Sequence, residues 1–502
     1  MAGPLEKIVI VGGGTAGWIS AAVLARFLRG RVAIELVESE DLGTIGVGEA
    51  TVPIIRALNG LLGIEEGELL RQSSATFKLG IEFRDWCAAG GRHFHFFGDF
   101  GADIDGIAPH HHWLRLRALG DPTPLGAYSF PYVAGRLGRF APPASEAGSP
   151  AAAYRYAYHL EASGYVRCLR AVAERNGVRR TEGLVADVRL RPHDGFIAGL
   201  TLADGRQIDA DLFIDASGFR ARLIAEALQV GYESWSQWLP CDRAVVVPCE
   251  RGAEPPPYTV AMAQAAGWQW RIPLQQRLGN GYVYSSRFLS DEHAAEQLAG
   301  SLKGPALGAL RQLRFTAGLR RNVWVGNCIA IGLAAGFLEP LESSGIQLIQ
   351  NAAARLIEFL PDRRFDPAVA AEYNRLTRNE YERIRDFLIL HYCLSTREDT
   401  EFWRYCRDMP LPETLCHKIE VWRACAKVPL YSEESYREPS WVSIFLGMGC
   451  MPKRYDPQVE GLDAAELRRA MQQRRERIEQ VARTMPTHQA FIERRSARSH
   501  PA

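Results

Sequence analysis

The sequence predicts an α/β fold with a parallel-sheet core up to about residue 350 and a mainly helical region over 351–502. The first observation is a β-branched run at 7–11, a glycine-rich turn, an amphipathic segment at 16–29 and a second strand-like run at 31–37. This order is a β–turn–α–β unit, the building block of parallel sheets. The second observation is that apolar residues recur at helical spacing from about residue 343 onward. A chain of 502 residues can bury both parts in close packing.

The composition argues against several classes of protein. Hydrophobic residues make up 47% of the chain, charged residues 23%, and the formal net charge is +1. A near-neutral chain gives no electrostatic reason to expect nucleic acid or a membrane surface as a partner. The sequence shows neither a transmembrane-length apolar run nor a signal-peptide pattern, so we expect a cytoplasmic protein. Ten cysteines without a C-x-x-C pair indicate reduced thiols and not disulfides or a zinc site.

The remaining elements follow from local patterns. Further strands are expected at 185–190, 199–202 and 211–214, with turn-rich stretches at 135–153 and 251–257. The last 40 residues are expected to form one amphipathic, highly charged helix followed by a basic tail. Three consecutive histidines at 110–112 are expected in a loop. Adjacent side chains of one loop rarely converge on one ion, so no metal site is predicted.

The glycine-rich turn at residues 12–17 (GGGTAG) fits G-x-G-x-x-G between a strand and a helix. Gly12 permits the tight turn, Gly14 lets the backbone approach a pyrophosphate, and Gly17 allows close packing of helix on strand. The helix N-terminus adds amide donors and a positive dipole end for phosphates. Glu38 ends the second strand, where a carboxylate accepts a hydrogen bond from a ribose hydroxyl. We therefore predict a Rossmann-like dinucleotide site that takes FAD or NAD and not NADP.

Two later segments favour FAD. Residues 211–218 (DLFIDASG) and 327–336 (NCIAIGLAAG) are strands that run into turns of small residues, a design that flavoenzymes use at both ends of the cofactor. Three strand-to-turn segments in this order along the chain are better explained by a flavin site than by ordinary buried strands. The predicted cofactor-binding residues are Gly12, Gly14, Thr15, Ala16, Gly17, Glu38, Gly48, Glu49, Ala50, Val185, Asp215, Gly332 and Leu333.

The sequence resembles the flavin-dependent halogenases, the group typified by tryptophan halogenases, over roughly residues 5 to 405. The most specific match is 267–273 (GWQWRIP), which fits the W-x-W-x-I-P signature of that group. The other matching segments are the glycine turn with Trp18, GVGEATVP at 46–53, FKLG at 77–80 and PLESSGI at 340–346. The resemblance implies an FAD-binding core, with the substrate bound by a helical C-terminal region packed on it.

The resemblance also implies a mechanism. Reduced FAD, oxygen and chloride or bromide yield hypohalous acid, which passes through a tunnel to Lys78 beside the substrate. Lys78 either holds the acid by a hydrogen bond or forms a haloamine, which needs a neutral amine. Glu342 stabilises the cationic ring, and Ser344 and Gly345 bind the halide at a helix N-terminus. The flavin-side wall of the tunnel, which keeps organic substrates away from the cofactor, is formed by Trp268, Trp270 and Ile272.

The predicted substrate site departs from the tryptophan halogenases. The resemblance implies that His95 and Phe97 sandwich an aromatic ring. The C-terminal segment 439–449 (PSWVSIFLGMG) offers Trp441 as a wall but lacks the tyrosine pair that holds the amino acid group of tryptophan. Without charged or polar partners, zwitterion recognition would weaken by about 2–5 kcal/mol. We therefore expect free tryptophan to be a poor substrate, indole or a similar arene to be a better one, and bromide to be accepted.

The resemblance implies two partners, a small aromatic substrate and a separate flavin reductase that supplies FADH2. The sequence holds no second glycine fingerprint for a nicotinamide, and a homodimer is expected at the level of the family. Two alternatives stay open: a flavin-dependent aromatic monooxygenase, and a flavin-binding protein without catalysis.

Overall fold

The computed structural model describes residues 3–40, 48–146, 148–152, 154–252 and 254–497. The strands are, in chain order, β1 Lys7–Val11, β2 Ala33–Glu38, β3 Gly48–Ala50, β4 Thr76–Lys78, β5 Gly80–Arg84, β6 Arg92–Phe96, β7 Ala157–Glu161, β8 Arg179–Glu182, β9 Val185–Leu190, β10 Ile197–Leu202, β11 Gln207–Asp209, β12 Leu212–Asp215, β13 Tyr232–Ser234, β14 Arg243–Glu250, β15 Thr259–Gln264, β16 Gly267–Pro273, β17 Arg277–Tyr284, β18 Arg311–Arg314, β19 Gly318–Arg320, β20 Trp324–Val325, β21 Cys328–Ala330 and β22 Gly336–Phe337. The α-helices are α1 Thr15–Leu28, α2 Ile55–Leu62, α3 Glu66–Gln72, α4 Pro109–Ala118, α5 Phe130–Arg136, α6 Ala162–Arg175, α7 Asp291–Gly300, α8 Gly345–Glu358, α9 Pro367–Cys393, α10 Glu401–Asp408, α11 Glu413–Cys425, α12 Glu438–Gly447, α13 Ala464–Thr484 and α14 His488–Ala497.

The chain divides into two compact units, each assembled from three separated segments. Unit 1 comprises Met1–Ala75, Leu160–Asp242 and Arg314–Glu382. Unit 2 comprises Thr76–His159, Arg243–Leu313 and Arg383–Ala502. The sequence-based border between 350 and 351 lies inside α8 and is not the border that the structure shows. Helix α8 buries an apolar face and packs on α1, so both helices belong to the same core.

Unit 1 contains the parallel sheet that the sequence predicts. Its strand order is β20-β21-β12-β1-β2-β8, and all neighbouring pairs are parallel except β20 with β21. Strand β1 therefore lies between β2 and β12, and the carboxyl ends of all three meet at one edge of the sheet. Ligands of such sheets bind outside this edge. The expected α/β core is confirmed.

Unit 2 is built around a seven-stranded sheet in the order β18-β14-β17-β16-β15-β5-β6. From β14 to β15 the neighbours are antiparallel, β15 and β5 are parallel, and β5 and β6 are antiparallel. Strand β16, which holds the tryptophan motif, is an interior strand that pairs with β15 on one edge and with β17 on the other. Strand β4 pairs antiparallel with β7 immediately before the chain enters β5. From Arg383 on, the regular elements of the described residues are helices, as the sequence predicts.

Two local expectations are corrected. The last 40 residues form two helices, α13 and α14, and not one, because Pro486 has no amide hydrogen and Met485 before it adopts an extended conformation (φ −70°, ψ 150°). The three histidines lie in the first turn of α4 and not in a loop, since Pro109 occupies a first-turn position that suits helix initiation. Within the described ranges, none of the helices combines the length and apolar character that crossing a bilayer requires.

Candidate active site

The glycine turn of unit 1 has the geometry that a dinucleotide loop needs. Gly12 adopts φ +117°, and a Cβ there would lie 2.2 Å from the Ala216 carbonyl oxygen. A Cβ at Gly17 would lie 1.8 Å from the Gly12 carbonyl oxygen, so the start of α1 packs directly on the turn. At Gly14, by contrast, no described heavy atom would lie within 4 Å of a Cβ. The turn is therefore closed on its protein side and open at Gly14, where backbone must approach a phosphate.

Glu38 stands at the end of β2 beside the same turn. A Cβ on Gly13 would lie 1.4 Å from Glu38 Oε2. The carboxylate therefore occupies space that is free because residue 13 has no side chain. The indole nitrogen of Trp18 donates to Glu38 Oε2 at 3.4 Å, and the Arg180 guanidinium pairs with Oε1. These contacts hold the carboxylate at the edge of the parallel sheet. The contact of Glu38 with a ribose stays a prediction.

Asp215 ends β12, and its carboxylate is occupied within unit 1. One oxygen accepts hydrogen bonds from the Ser217 amide at 3.1 Å and the Ser217 hydroxyl at 2.5 Å. The other accepts the amides of Leu223 at 2.7 Å and Ile224 at 2.8 Å. Four donors fill the accepting capacity of a carboxylate. Asp215 therefore shapes the turn after β12, and any cofactor contact here would come from the backbone of that turn.

The turn after β21 lies against the start of α1. Gly332 has φ +71°, and a Cβ there would lie 2.7 Å from the Ala16 Cβ. The amide of Ile331 donates to the Asp215 carbonyl at 2.9 Å, which ties this turn to the end of β12. Leu333 is exposed on the turn. The three strand-to-turn segments that the sequence predicted therefore come together in unit 1.

Two other predicted cofactor positions, Val185 and Glu49, lie in β9 and β3. Val185 begins β9 and is buried in the β9–β10 pair. Glu49 lies in β3, and burial raises the pKa of its carboxyl to about 7. A carboxyl that is half protonated near neutrality can donate a hydrogen bond as well as accept one. Gly46 and Val47 of the segment 46–53, which resembles the halogenases, lie outside the described residues.

These observations fit FAD at the edge of the parallel sheet. The loop is open where a pyrophosphate needs backbone, α1 begins at that point, and an acid flanks it. The N-terminus of this 14-residue helix supplies amide donors that the helix itself leaves unused.

The predicted halide site has a buried hydroxyl for which the described residues offer no hydrogen-bond partner. Ser344 precedes α8 at its N-cap, yet its side chain makes no capping hydrogen bond. It is 1% exposed, and among the described residues its Oγ has no hydrogen-bond partner. At Gly345, which is exposed, no described heavy atom would lie within 4 Å of a Cβ. An orphaned donor, an open backbone position and a helix N-terminus are a set of groups that suits an anion.

Glu342 lies two residues before this site, at the end of a 3-10 turn spanning Pro340–Glu342. Its side chain is 1% exposed, and Ser343 after it adopts a left-handed conformation with φ +61°. That conformation is strained for a residue with a side chain. The left-handed conformation of Ser343 therefore sets the direction in which the chain leaves Glu342 and enters α8.

Lys78 is completely buried in unit 2, at the end of β4. Its Nζ lies 5.2 Å from the centroid of the Phe97 ring. Burying an ammonium group is costly, so proteins retain buried lysines chiefly where they serve a purpose. Lys78 is thus a strand residue inside unit 2, away from solvent.

The tryptophan motif forms the buried face of β16. Because side chains alternate along a strand, Trp268, Trp270 and Ile272 point to the same side, and all three are buried. The two indole rings lie 5.9 Å apart. Gly281 on β17 faces Trp270, and a Cβ there would lie 2.1 Å from the indole ring. The indole nitrogen of Trp270 is buried, and no group of the described residues accepts its hydrogen.

The two residues predicted to sandwich an aromatic ring, His95 and Phe97, lie beside each other in unit 2. His95 and Phe97 meet edge to face, with ring centroids 6.3 Å apart and planes at 76°. Their sandwiching of a substrate ring stays a prediction. His95 packs edge-on against Phe387 at 5.6 Å and Tyr436 at 6.0 Å. Both predicted residues are buried near the end of β6, so they remain candidates for substrate contact.

Trp441 lies in α12 and is completely buried. Its indole nitrogen donates to the Tyr436 carbonyl at 3.1 Å, and its ring meets Phe387 edge-on at 4.9 Å. The Nζ of Lys418, itself paired with Glu434 at 2.8 Å, lies 4.6 Å from the Trp441 ring. The residue that the sequence identified as a substrate wall is thus an integral part of the aromatic core, and its contact with substrate stays a prediction.

The three histidines of α4 have separate partners. His110 Nε2 bonds to the Ala426 carbonyl at 3.0 Å, His111 Nδ1 accepts the Asp456 amide at 3.2 Å, and His112 Nε2 bonds to the Ile104 carbonyl at 3.2 Å. Burial lowers the pKa of His110 to about 4 and that of His111 to about 3. Throughout the described ranges, no three His, Cys, Asp or Glu side chains are grouped as metal ligands.

Comparisons with known proteins cover both units. A family model described as tryptophan halogenase matches residues 7–464. Tryptophan 7-halogenase RebH of Lentzea aerocolonigenes is 35% identical over 503 residues, which cover 93% of this chain and 93% of RebH.

Solved structures are similar over nearly the whole chain. BrvH, a flavin-dependent halogenase from Brevundimonas sp. BAL3, gives a TM-score of 0.95 at 44% identity and covers 98% of this chain and 99% of its own. Xcc4156, a flavin-dependent halogenase from Xanthomonas campestris, gives 0.95 at 42% identity and covers 99% and 100%.

Proposed function

The chain belongs to the tryptophan halogenase family, and from this premise we propose that it halogenates an indole-type arene with hypohalous acid delivered to Lys78. It is a flavin-dependent halogenase that uses FADH2 and a halide ion, and enzymes of this kind rely on a separate flavin reductase. Our proposal concerns the finer points: the oxidant, the lysine, the arene, and a cytoplasmic location.

The burial of Lys78 is the observation that carries the proposal. Hypohalous acid oxidises thiols and thioethers indiscriminately, so a halogenase benefits from handling it out of bulk water. Lys78 Nζ is enclosed in unit 2, and Phe97 is within cation–π distance. Burial favours the neutral form of an amine, which is the form that reacts as a nucleophile.

Two balanced routes use this lysine. In the first, the neutral amine takes the halogen from hypohalous acid and releases water. The arene then takes the halogen from the haloamine and gives its proton to the nitrogen. In the second, the protonated amine donates a hydrogen bond to hypohalous acid, the arene attacks the halogen, and the departing hydroxide takes the proton of the amine and leaves as water. The cationic ring then gives its proton to the neutral amine. Glu342 remains our candidate for stabilising the cationic ring.

The cofactor and the halide would be held by the groups described in unit 1. When bound, FADH2 supplies the electrons that reduce oxygen and so makes an oxidant for the halide. The Gly12–Gly17 turn and α1 would hold the pyrophosphate, and Glu38 the ribose. Ser344 Oγ and the Gly345 amide would hold the halide. On β16, Trp268 and Trp270 would block organic molecules on the flavin side.

The apolar side chains that α12 buries favour an arene that lacks an amino acid group. The side chains that this helix buries are Trp441, Val442, Ile444 and Phe445, and all are apolar. A zwitterion needs charged or hydrogen-bonding partners to repay its desolvation. We therefore propose indole or a similar arene as the better substrate, with free tryptophan as the poorer one and bromide as a usable halide.

One assay separates this proposal from its alternatives. The protein is incubated with FAD, a flavin reductase, NADH, bromide or chloride, and either indole or tryptophan, and products are identified by mass spectrometry. Halogenated indole supports the proposal, whereas a hydroxylated product supports a monooxygenase. Lys78→Met keeps the length of the side chain without its nitrogen and is expected to abolish halogenation while flavin oxidation continues. Full product formation by this variant would overturn the assignment of Lys78.

A further inference from the structure

The two residues immediately before Lys78 are held by two buried histidines that are far apart in the sequence. His159 on β7 bonds to Thr76, and His488 at the start of α14 bonds to Phe77. Both side chains are at most 1% exposed. Both belong to unit 2, together with Lys78.

His488 satisfies an amide of β4. The Phe77 amide donates to His488 Nε2 at 3.0 Å, and His488 Nδ1 lies 2.8 Å from the Pro255 carbonyl oxygen. A carbonyl only accepts, so Nδ1 must carry the hydrogen and Nε2 must be the acceptor. This pairing requires a neutral imidazole. Burial lowers the pKa of His488 to about 4, so the ring is neutral near pH 7.

His159 stands in a second chain of hydrogen bonds with a fixed direction. The Thr76 hydroxyl donates to the Pro273 carbonyl at 2.6 Å, so it accepts from His159 Nδ1 at 2.9 Å. His159 Nε2 then accepts from the Thr259 hydroxyl, also at 2.9 Å. Pro273 ends the tryptophan motif. This chain therefore joins β15, β7 and β4 to the end of β16.

The two histidines restrain different atoms of the same short strand. Thr76 is fixed through its side chain and Phe77 through its backbone, and Lys78 follows directly. The next amide, that of Leu79, donates to the Pro257 carbonyl at 2.7 Å. The Phe77 ring also stacks on Phe140 at 4.1 Å and meets Phe491 of α14 edge-on at 5.3 Å. The C-terminal helix is thus bound to the lysine strand by polar and apolar contacts.

We propose that His488 and His159 are positioning residues for Lys78, acting through their hydrogen bonds to the strand that precedes it. The inference rests on the proposed role of Lys78. Halogen transfer depends on the position of one nitrogen, and a displacement of about 1 Å can cost on the order of 100-fold in rate. A shifted β4 would leave oxidant production intact and lower the fraction of oxidant that reaches the arene.

The test measures coupling, which is the amount of halogenated indole formed per FADH2 oxidised. His488→Phe keeps an aromatic ring beside Phe77 but removes both nitrogens. We expect coupling to fall roughly tenfold or more, while FAD affinity and the rate of flavin oxidation change by less than about twofold. Hypohalous acid that escapes is quantified with an added halogen acceptor and should rise. His488→Gln retains a donor and an acceptor and should recover part of the coupling.

Phe491→Leu is the matched control. It weakens the packing of α14 on Phe77 without touching either hydrogen bond, so it should lower the melting temperature and leave coupling unchanged. Thr76→Val removes the hydroxyl from the His159 chain and provides a second variant should His488→Phe fail to fold. If His488→Phe or Thr76→Val folds and retains wild-type coupling, or if Phe491→Leu loses coupling equally, the inference is overturned. Lys78→Met in the same assay separates the two failures: product from that variant defeats the proposed function itself.

Discussion

Removing the Ser344 hydroxyl should impair halide use without harming the fold. In Ser344→Ala, the lost group is a buried donor with no partner among the described residues, so the folded protein gives up no hydrogen bond of its own. A buried polar group without a partner costs about 1–3 kcal/mol. The free enzyme should therefore be equally stable or slightly more stable after the substitution.

The same substitution should weaken the binding of halide, although it does not weaken the fold. A hydrogen bond to a charged group contributes roughly 1.5–3 kcal/mol, which corresponds to about 10- to 150-fold in affinity. The amides at the start of α8 would remain, so binding is weakened and not abolished. We expect the bromide concentration at half-maximal rate to rise by that factor. The maximal rate at saturating bromide should change much less.

The assay titrates bromide against the rate of bromoindole formation and records thermal unfolding of both proteins. Ser73→Ala is the control, because Ser73 Oγ is also buried in unit 1 but donates to the Leu69 carbonyl at 2.6 Å. That variant should be less stable and show wild-type bromide dependence. An unchanged bromide requirement in Ser344→Ala would refute the reasoning, since the hydroxyl would then have no part in anion binding.

Three further predictions follow from contacts in the two units. Gly12→Ala would place a Cβ 2.2 Å from the Ala216 oxygen and should abolish FAD binding measured by flavin fluorescence, and tight binding would contradict the site. Gly281→Ala would push a methyl group to 2.1 Å from the Trp270 ring, and a loss of about 1–3 kcal/mol in urea denaturation is expected; wild-type stability would show that the ring moves freely. Burial lowers the pKa of His110 and His488 from 6.5 to about 4, so below pH 6.5 the unfolded chain binds protons that the folded chain does not. Stability should therefore fall by about 1 kcal/mol per histidine between about pH 7.5 and about pH 5.5, and a flat urea midpoint over that range would refute this.

The nucleotide half of the protein could be predicted from sequence because its signals are local. Gly12, Gly14 and Gly17 are required by steric contacts within one turn, and Glu38 follows at the distance that a helix and a strand impose. Alternating residues of one strand share a face, so the tryptophan motif likewise predicted that its bulky side chains lie on one side of the strand. Such patterns depend on backbone geometry over fewer than about 30 residues, which a linear sequence records.

Long-range packing decided the rest. His159 and His488 meet the strand of Lys78 from positions 83 and 411 residues away from their partners, and nothing local marks either residue. The edge-to-face pair of His95 and Phe97 depends on neighbours from α9 and the segment before α12. Local sequence fixes which groups a short segment presents. Only the folded chain decides which of them are buried, which protonation state they hold, and what they face, because those depend on atoms that the sequence places far away.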